Sequence, residues 1–169
     1  LVEFIGSLFF SGIVTATPTI ESRFTINKTV LVRNFPVISE FPSPSSYPMS
    51  LRSREVAYIG TITINRNIIG MLEAIESVQD AEVALRLAGD FPVTGDENTA
   101  RSHPGWSRVH YDGWVSREGI ANILASTRAG LVVLKPLEHE AVSFPIKLFE
   151  YMAAGLPLIS SDFPVWREI

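Results

Sequence analysis

Lys147, Glu150 and Tyr151 are the residues of this 169-residue sequence best placed to do chemistry. On a helix running from about Pro145 to Ala154 they share one face with Ala154, because residues three, four and seven apart stack along a helix. Ile146, Leu148, Phe149, Met152 and Ala153 make the other faces apolar. Pro145 suits the first helical position, where its missing N–H would have no partner, and Ser143 or the Phe144 backbone falls at the cap. Gly155 ends the helix, and Leu156-Pro-Leu-Ile begins a strand. A lysine in the first turn opposes the helix macrodipole, and Lys preceding Glu is the weaker orientation for a helical ion pair. An anion near that terminus accounts for Lys147, since first-turn amides and a cation together form a phosphate site. A carboxylate one turn further in accepts hydrogen bonds from sugar hydroxyls, which is the role expected of Glu150. The plainer alternative is a solvated polar stripe on an otherwise buried helix.

Five apolar runs position this helix: Val56 to Gly60, Val83 to Ala88, Arg108 to Tyr111, Gly130 to Leu134 and Leu156 to Ser160. Each is separated from the next by a helical or loop segment, the alternation of an α/β protein with a Rossmann-like, doubly wound parallel sheet. Ile68, Ile69, Leu72, Ile75 and Val78 have helical spacing after the first run, and Ile120, Ile123 and Leu124 before the fourth. Ligands of such sheets bind outside the carboxyl ends of the strands, which singles out the loops after Gly60, Leu87-Ala-Gly89, Tyr111 and Leu134. Upstream, Thr29-Val-Leu-Val-Arg33 is β-rich, and Pro36 to Ser53 has the Pro and Ser content of an interdomain linker. The expected organisation is residues 1–35 as the tail of a preceding domain, 36–54 as linker and 55–169 as the ligand-binding domain. Asp162 and Pro164 read as the start of a further helix. Both ends read as cut, so a longer parent protein is expected.

Composition narrows the function. The formal charge is −4 with scattered basic residues, so no electrostatic footprint for nucleic acid is present. The absence of cysteine excludes disulfides and thiolate metal sites and is compatible with a cytoplasmic location. Phe4 to Ala16 is apolar but shorter than a spanning helix and without a basic flank, reading as a helix followed by a strand. Membrane association is therefore expected only through a full-length protein. His110 reads as a satisfied core residue and Asp112 as a turn residue, while His103 and His139 lack metal-ligand spacing.

Pro145-Ile-Lys-Leu-Phe-Glu-Tyr-Met-Ala-Ala-Gly-Leu-Pro-Leu-Ile resembles the donor-site signature of group 1 (family 4) glycosyltransferases with the GT-B fold. Ala16-Thr-Pro-Thr-Ile, Val32-Arg-Asn-Phe-Pro36, Ala57-Tyr-Ile-Gly60, Leu87-Ala-Gly89, Val109-His-Tyr-Asp-Gly113 and Ser160-Ser-Asp-Phe-Pro164 occur in the order such enzymes show. The resemblance covers nearly the whole chain. It implies the C-terminal, donor-binding half of a retaining hexosyl- or N-acetylhexosaminyl-transferase. A nucleotide diphosphate sugar would be the donor, and a glycan, a lipid or another molecule the acceptor. A separate first domain would hold the acceptor, so catalysis by this chain alone is not expected. The resemblance implies no cofactor and no metal, and it assigns no catalytic residue.

Carried over residue by residue, the resemblance places Gly60 and Arg66 in the strand-to-helix loop near the donor diphosphate. It places Gly113 and Trp114 by the nucleotide base, and Ser143, Phe144, Pro145, Lys147 and Glu150 at the phosphates and ribose. Two positions depart from the pattern. Thr61 occupies the loop's first basic position, with Arg66 at its Lys position and Asn67 at its Gly position. Val142 replaces the first glutamate of the family's carboxylate pair, leaving Glu150, while Glu138 and Glu140 are out of register and read as loop charges. Plainer roles compete: Arg66 as a solvated residue at a helix start, Trp114 as a core filler. As whole-chain alternatives, a non-catalytic nucleotide-binding or scaffold module fits the two departures, and a GT-B sugar epimerase would use the same donor binding.

Overall fold

The computed structural model describes residues 2–24, 28–43, 46–137 and 143–169, apart from the side chains at 2–4 and 168. The apolar N-terminal stretch forms helix α1 (Val2–Ser7) and strand β1 (Ile13–Thr15). Helix α2 (Pro18–Glu21) begins at Thr17, whose hydroxyl accepts the Ile20 N–H, and strand β2 (Thr29–Leu31) pairs parallel with β1. The Pro/Ser-rich stretch makes two short 3-10 turns, Ile38–Glu40 and Met49–Leu51. Phe41, next to the first turn, is buried in the core of the following layers.

The five expected runs form strands β3 (Glu55–Ile59), β4 (Ala84–Ala88), β5 (Val109–Gly113), β6 (Ala129–Val132) and β7 (Leu158–Ser160). They build one parallel sheet in the order β5-β4-β3-β6-β7. Helix α3 (Ile68–Ser77) turns Ile68, Met71, Leu72 and Ile75 onto Tyr58, Leu85, Leu87 and Leu131. Helix α4 (Thr94–Ser102) packs its Ala100 into the same layer. Helices α5 (Arg117–Ser126) and α6 (Ile146–Ala153) cover the other face, against Ala57, Ile59, Ala88 and Val132. The connections change face after β5, so the sheet reverses direction between β3 and β6.

At that reversal the strands separate early. Only Val56 and Ala57 of β3 pair with Ala129 and Gly130 of β6. Beyond them the Ile59 N–H donates to the Tyr151 hydroxyl of α6 at 3.0 Å. Tyr151 is completely buried, and burial pushes its hydroxyl's titration far above the usual tyrosine range. Its ring fills the space a side chain at Gly130 would need, since a Cβ there would come within 2.3 Å of Tyr151 Cδ2. Helix α6 ends on Gly155 at φ 60°, with the Gly155 N–H on the Met152 carbonyl and the Leu156 N–H on the Tyr151 carbonyl, a Schellman cap.

Four local expectations need correction. Pro145 is the cap (ψ 132°), and the helix begins one residue later at Ile146. The helix expected after Pro164 is a 3-10 turn, Pro164–Glu168, in which Asp162 pairs with Arg167 instead of capping. Asp112 is a strand residue that accepts from Arg86 Nε at 2.8 Å and Nη2 at 3.1 Å. His110 is not in the core: β5 is an edge strand, its imidazole is exposed, and Nδ1 meets Glu55. The alternation of β5 pointed to a buried side only where a helix covers the sheet, and α5 does not reach this edge.

Burial pushes the Glu55 carboxyl up, but the Ser53 hydroxyl at 2.7 Å, His110 and Arg86 outweigh it and hold it below its ordinary value of 4.5. A depressed folded pKa adds stability above the unfolded pKa, and that stability is lost as pH falls through the folded value. Urea unfolding followed through the acid range should therefore lose stability below about pH 4.5, with a shallower slope in Glu55→Gln. Tyr151→Phe strands the buried Ile59 N–H and should cost about 1–3 kcal/mol in urea unfolding at unchanged m. Gly130→Ala should cost at least as much, because the ring it meets is packed on all sides.

Candidate functional site

Three neighbouring strands of the sheet end in glycines whose backbone only glycine adopts readily: Gly60 (φ 117°), Gly89 (φ 143°) and Gly113 (φ 66°). The Gly60 N–H donates to the Ala88 carbonyl at 2.8 Å and the Gly89 N–H to the Gly113 carbonyl at 2.7 Å. Gly89 lies so close to Gly60 that a Cβ on it would stand 2.1 Å from the Gly60 carbonyl oxygen. The result is a floor of bare main chain at the carboxyl ends of β3, β4 and β5. Above it opens a cleft of about 380 Å³ bounded by Gly60, Thr61, Gly89, Asp90, Trp114 and Val115. Trp114 is 73% exposed and stands at the rim, so it fills no core gap. Gly113 has nothing within 4 Å of the position of a side chain, leaving its main chain open to a flat ligand.

The turn after β3 carries Arg66 and reaches α3 through Asn67, which adopts a left-handed conformation (φ 68°). That backbone favours glycine, with asparagine the usual substitute, and it is the physical reason for a Gly or Asn at this position. Arg66 is half-buried, and its backbone N–H closes the turn on the Thr63 carbonyl at 3.1 Å. Arg66, Ser143, Phe144 and Pro145 line a second cleft of about 360 Å³, shared with Ala16, Thr17, Arg33 and Asn34.

Helix α6 overturns the solvated-stripe alternative. Lys147 and Glu150 are 7% and 6% exposed, whereas the apolar Ile146 and Met152 are 41% and 49% exposed. The polar face is the inner one. Lys147 extends to the end of β3, with Nζ 3.9 Å from the centroid of the Tyr58 ring and close to Gly60. Glu150 meets Arg117, the first residue of α5. Arg117 also donates from Nε to Glu40 at 2.8 Å and lies 5.4 Å from the centroid of the Phe41 ring. Hydrogen bonding to Glu150, ahead of the opposing effect of burial, raises the guanidinium's already high pKa. One guanidinium thus ties the turn at Ile38–Glu40 to the buried carboxylate.

The nine expected site residues fall into three places. Gly60 and Trp114 bound the first cleft, with Gly113 beside Trp114 at the end of β5; Arg66, Ser143, Phe144 and Pro145 line the second, and Lys147 and Glu150 lie on the inner face of α6. Glu138, His139, Glu140 and Val142 lie outside the described residues. Among the described residues no group of three or more His, Cys, Asp or Glu is arranged to hold a metal ion, and no helix is long and apolar enough to cross a membrane. Arg117 escaped notice in the sequence. Its signal was the one that exposed Lys147, a cation in the first turn of a helix, here directly after the Ser116 cap.

A doubly wound sheet with a glycine floor at its strand ends is the architecture of a nucleotide-binding α/β domain. The profile of the family described as Glycosyl transferases group 1 matches residues 53–169, and the chain belongs to that family. Its fold is the C-terminal half of GT-B. No curated protein matches the sequence significantly. Among solved structures, the chain resembles Anabaena HepE in complex with UDP-glucose, with a TM-score of 0.70 and 17% identity over 95% of this chain and 47% of that one. It also resembles AviGT4, a glycosyltransferase involved in avilamycin A biosynthesis, with a TM-score of 0.65 and 17% identity over 92% of this chain and 46% of that one. Sucrose-phosphate synthase from Thermosynechococcus elongatus gives a TM-score of 0.65 and 19% identity over 88% and 40% of the two chains. The chain spans less than half the length of each.

Removing the guanidinium leaves the buried Glu150 without its ion-pair partner. Arg117→Met should lower stability by about 1–3 kcal/mol, read as a shifted urea midpoint at unchanged m. Arg117→Lys should recover only part of that loss, because an ammonium cannot reproduce the planar fork that bridges Glu40 and Glu150.

Proposed function

We propose that this chain is the donor-binding part of a retaining glycosyltransferase that takes a sugar from a nucleotide diphosphate sugar. Residues 55–169 would form the donor domain, 36–54 the linker, and 1–35 the tail of an acceptor domain. The observation that carries the reading is the inward-facing pair on α6, Lys147 and Glu150, set beside strand ends that are bare main chain. A buried cation and a buried carboxylate about one helical turn apart suit a ligand with a phosphate and a vicinal diol. Family membership supports the same reading, and HepE, of similar fold, is described with UDP-glucose.

In this reading the base lies over Gly113 with Trp114 stacked at its edge, where exposure leaves the indole face available. The ribose hydroxyls donate to Glu150, whose carboxylate Arg117 holds in place. The diphosphate lies between Gly60 and the Ser143-Phe144-Pro145 segment. Breaking the bond between sugar and phosphate puts charge on the departing diphosphate. Lys147, Arg66 and the first amides of α6 are fixed before the reaction and stabilise that charge without reorganising. Retention at the anomeric carbon and a hexosyl or N-acetylhexosaminyl donor come with the family resemblance. The acceptor, a glycan, a lipid or another molecule, would meet the donor from the side of residues 1–35.

Calorimetric titration with UDP, GDP and ADP tests the donor reading. One nucleotide should bind preferentially, and Glu150→Ala should weaken it by about 10- to 100-fold, equivalent to about 1.5–3 kcal/mol. Unchanged affinity in a folded Glu150→Ala rejects the ribose role, and binding of none of the three rejects the donor reading.

A further inference from the structure

The second cleft carries a pair of arginines, Arg66 and Arg33, of which the donor reading uses only Arg66. Arg33 enters it from the segment after β2, and Arg66 enters from the turn before α3. Among the described residues, none that lines the cleft is acidic. Among the described residues neither arginine has a carboxylate partner, whereas Arg54, Arg86, Arg101, Arg117 and Arg167 each meet one. Arg33 and Arg66 both come from hydrogen-bonded backbone: the Val32 N–H donates to the Thr15 carbonyl at 2.8 Å, and the Arg66 N–H to the Thr63 carbonyl. The far wall is also held, because the Trp166 Nε1–H donates to the Ser143 carbonyl at 2.6 Å. The Arg33 guanidinium stands 5.8 Å from the centroid of the Phe144 ring, which orients it by a cation–π contact and leaves its N–H edge for another partner.

Two like charges lining one concave space repel each other, and an anion bound between them relieves that repulsion. A guanidinium fork matches the spacing of phosphate oxygens, and two forks from different segments of one cleft suit a doubly charged phosphate. We infer that Arg33 and Arg66 form a two-arginine phosphate site at the junction between residues 1–35 and the sheet domain. Arg33 is its distinguishing member. Its assignment to the terminal phosphate of a nucleoside diphosphate rests on the donor reading. A phosphate not joined to a nucleoside would satisfy the same two arginines.

The titration that separates these sources uses UDP, GDP and ADP, the matching monophosphates and inorganic pyrophosphate against the 169-residue chain, Arg33→Gln and Arg66→Gln. The preferred diphosphate should bind at least about tenfold tighter than its monophosphate. Each glutamine variant should lower diphosphate affinity by about tenfold and leave monophosphate affinity within about twofold, so that the preference collapses. Arg33 is exposed, so Arg33→Gln should keep the unfolding midpoint of the parent chain. An unchanged preference in Arg33→Gln overturns the site, as does equal binding of mono- and diphosphate by the parent chain. If no nucleotide binds but pyrophosphate does, and Arg33→Gln abolishes it, the phosphate site stands while the donor reading falls. If pyrophosphate and all the nucleotides fail to bind, both are overturned.

Discussion

The hydrogen bond from the Ile59 N–H to the Tyr151 hydroxyl governs the geometry of everything around the candidate site. In a doubly wound sheet the two central strands must part to let their connections leave on opposite faces, and parting exposes ladder groups that buried protein cannot leave unpaired. Here a helix supplies the missing acceptor. Because the acceptor belongs to α6, satisfying the strand also fixes the helix, and Lys147 and Glu150 follow as its neighbours on the same face. Gly130 makes the arrangement sterically feasible by leaving the space that the tyrosine ring occupies. A requirement of backbone satisfaction in the sheet thus places two charged side chains at the mouth of the strands.

Holding those charges inside has its own demands. A buried carboxylate needs a partner, and α5 provides one in Arg117, which in turn reaches Glu40 and Phe41 of the Pro/Ser-rich stretch. The guanidinium stays partly in water while the carboxylate does not, so only one of the two ions is fully withdrawn from solvent. The same contact explains why the Pro-rich stretch is more than a spacer, since its Phe41 is part of the core.

Much of the fold was legible because a buried parallel strand is an unusually plain pattern. Short apolar runs punctuated by glycine gave all five strands of the sheet to within a residue or two, and helical spacing gave α3 and α5. Side-chain direction was harder. The apolar majority of α6 left open that Lys147 and Glu150 face water, but the sheet receives the face holding Tyr151 and Ala154, and those two carry the charged residues inward. His110 failed for the complementary reason: an alternating strand at a sheet edge has no helix over part of its surface, so a central-looking position is exposed. Asn67 was recognisable as a glycine substitute from its place in the loop, but only the dihedral angle says why. Arrangements between distant segments, such as Arg117 meeting Glu150 or Arg33 lining a cleft with Arg66, leave no local signature, because neither partner's neighbours in sequence report the other.

The glycine floor has a consequence for how such a protein can diverge. A surface made of carbonyls and N–H groups has no side chains to substitute, and the close approach of Gly89 to Gly60 forbids adding any there. Sequence drift must therefore concentrate at the rim, where Thr61, Asp90, Trp114 and Val115 stand. An unvarying base surrounded by replaceable walls lets ligand preference change by single substitutions while the strand ends stay as they are.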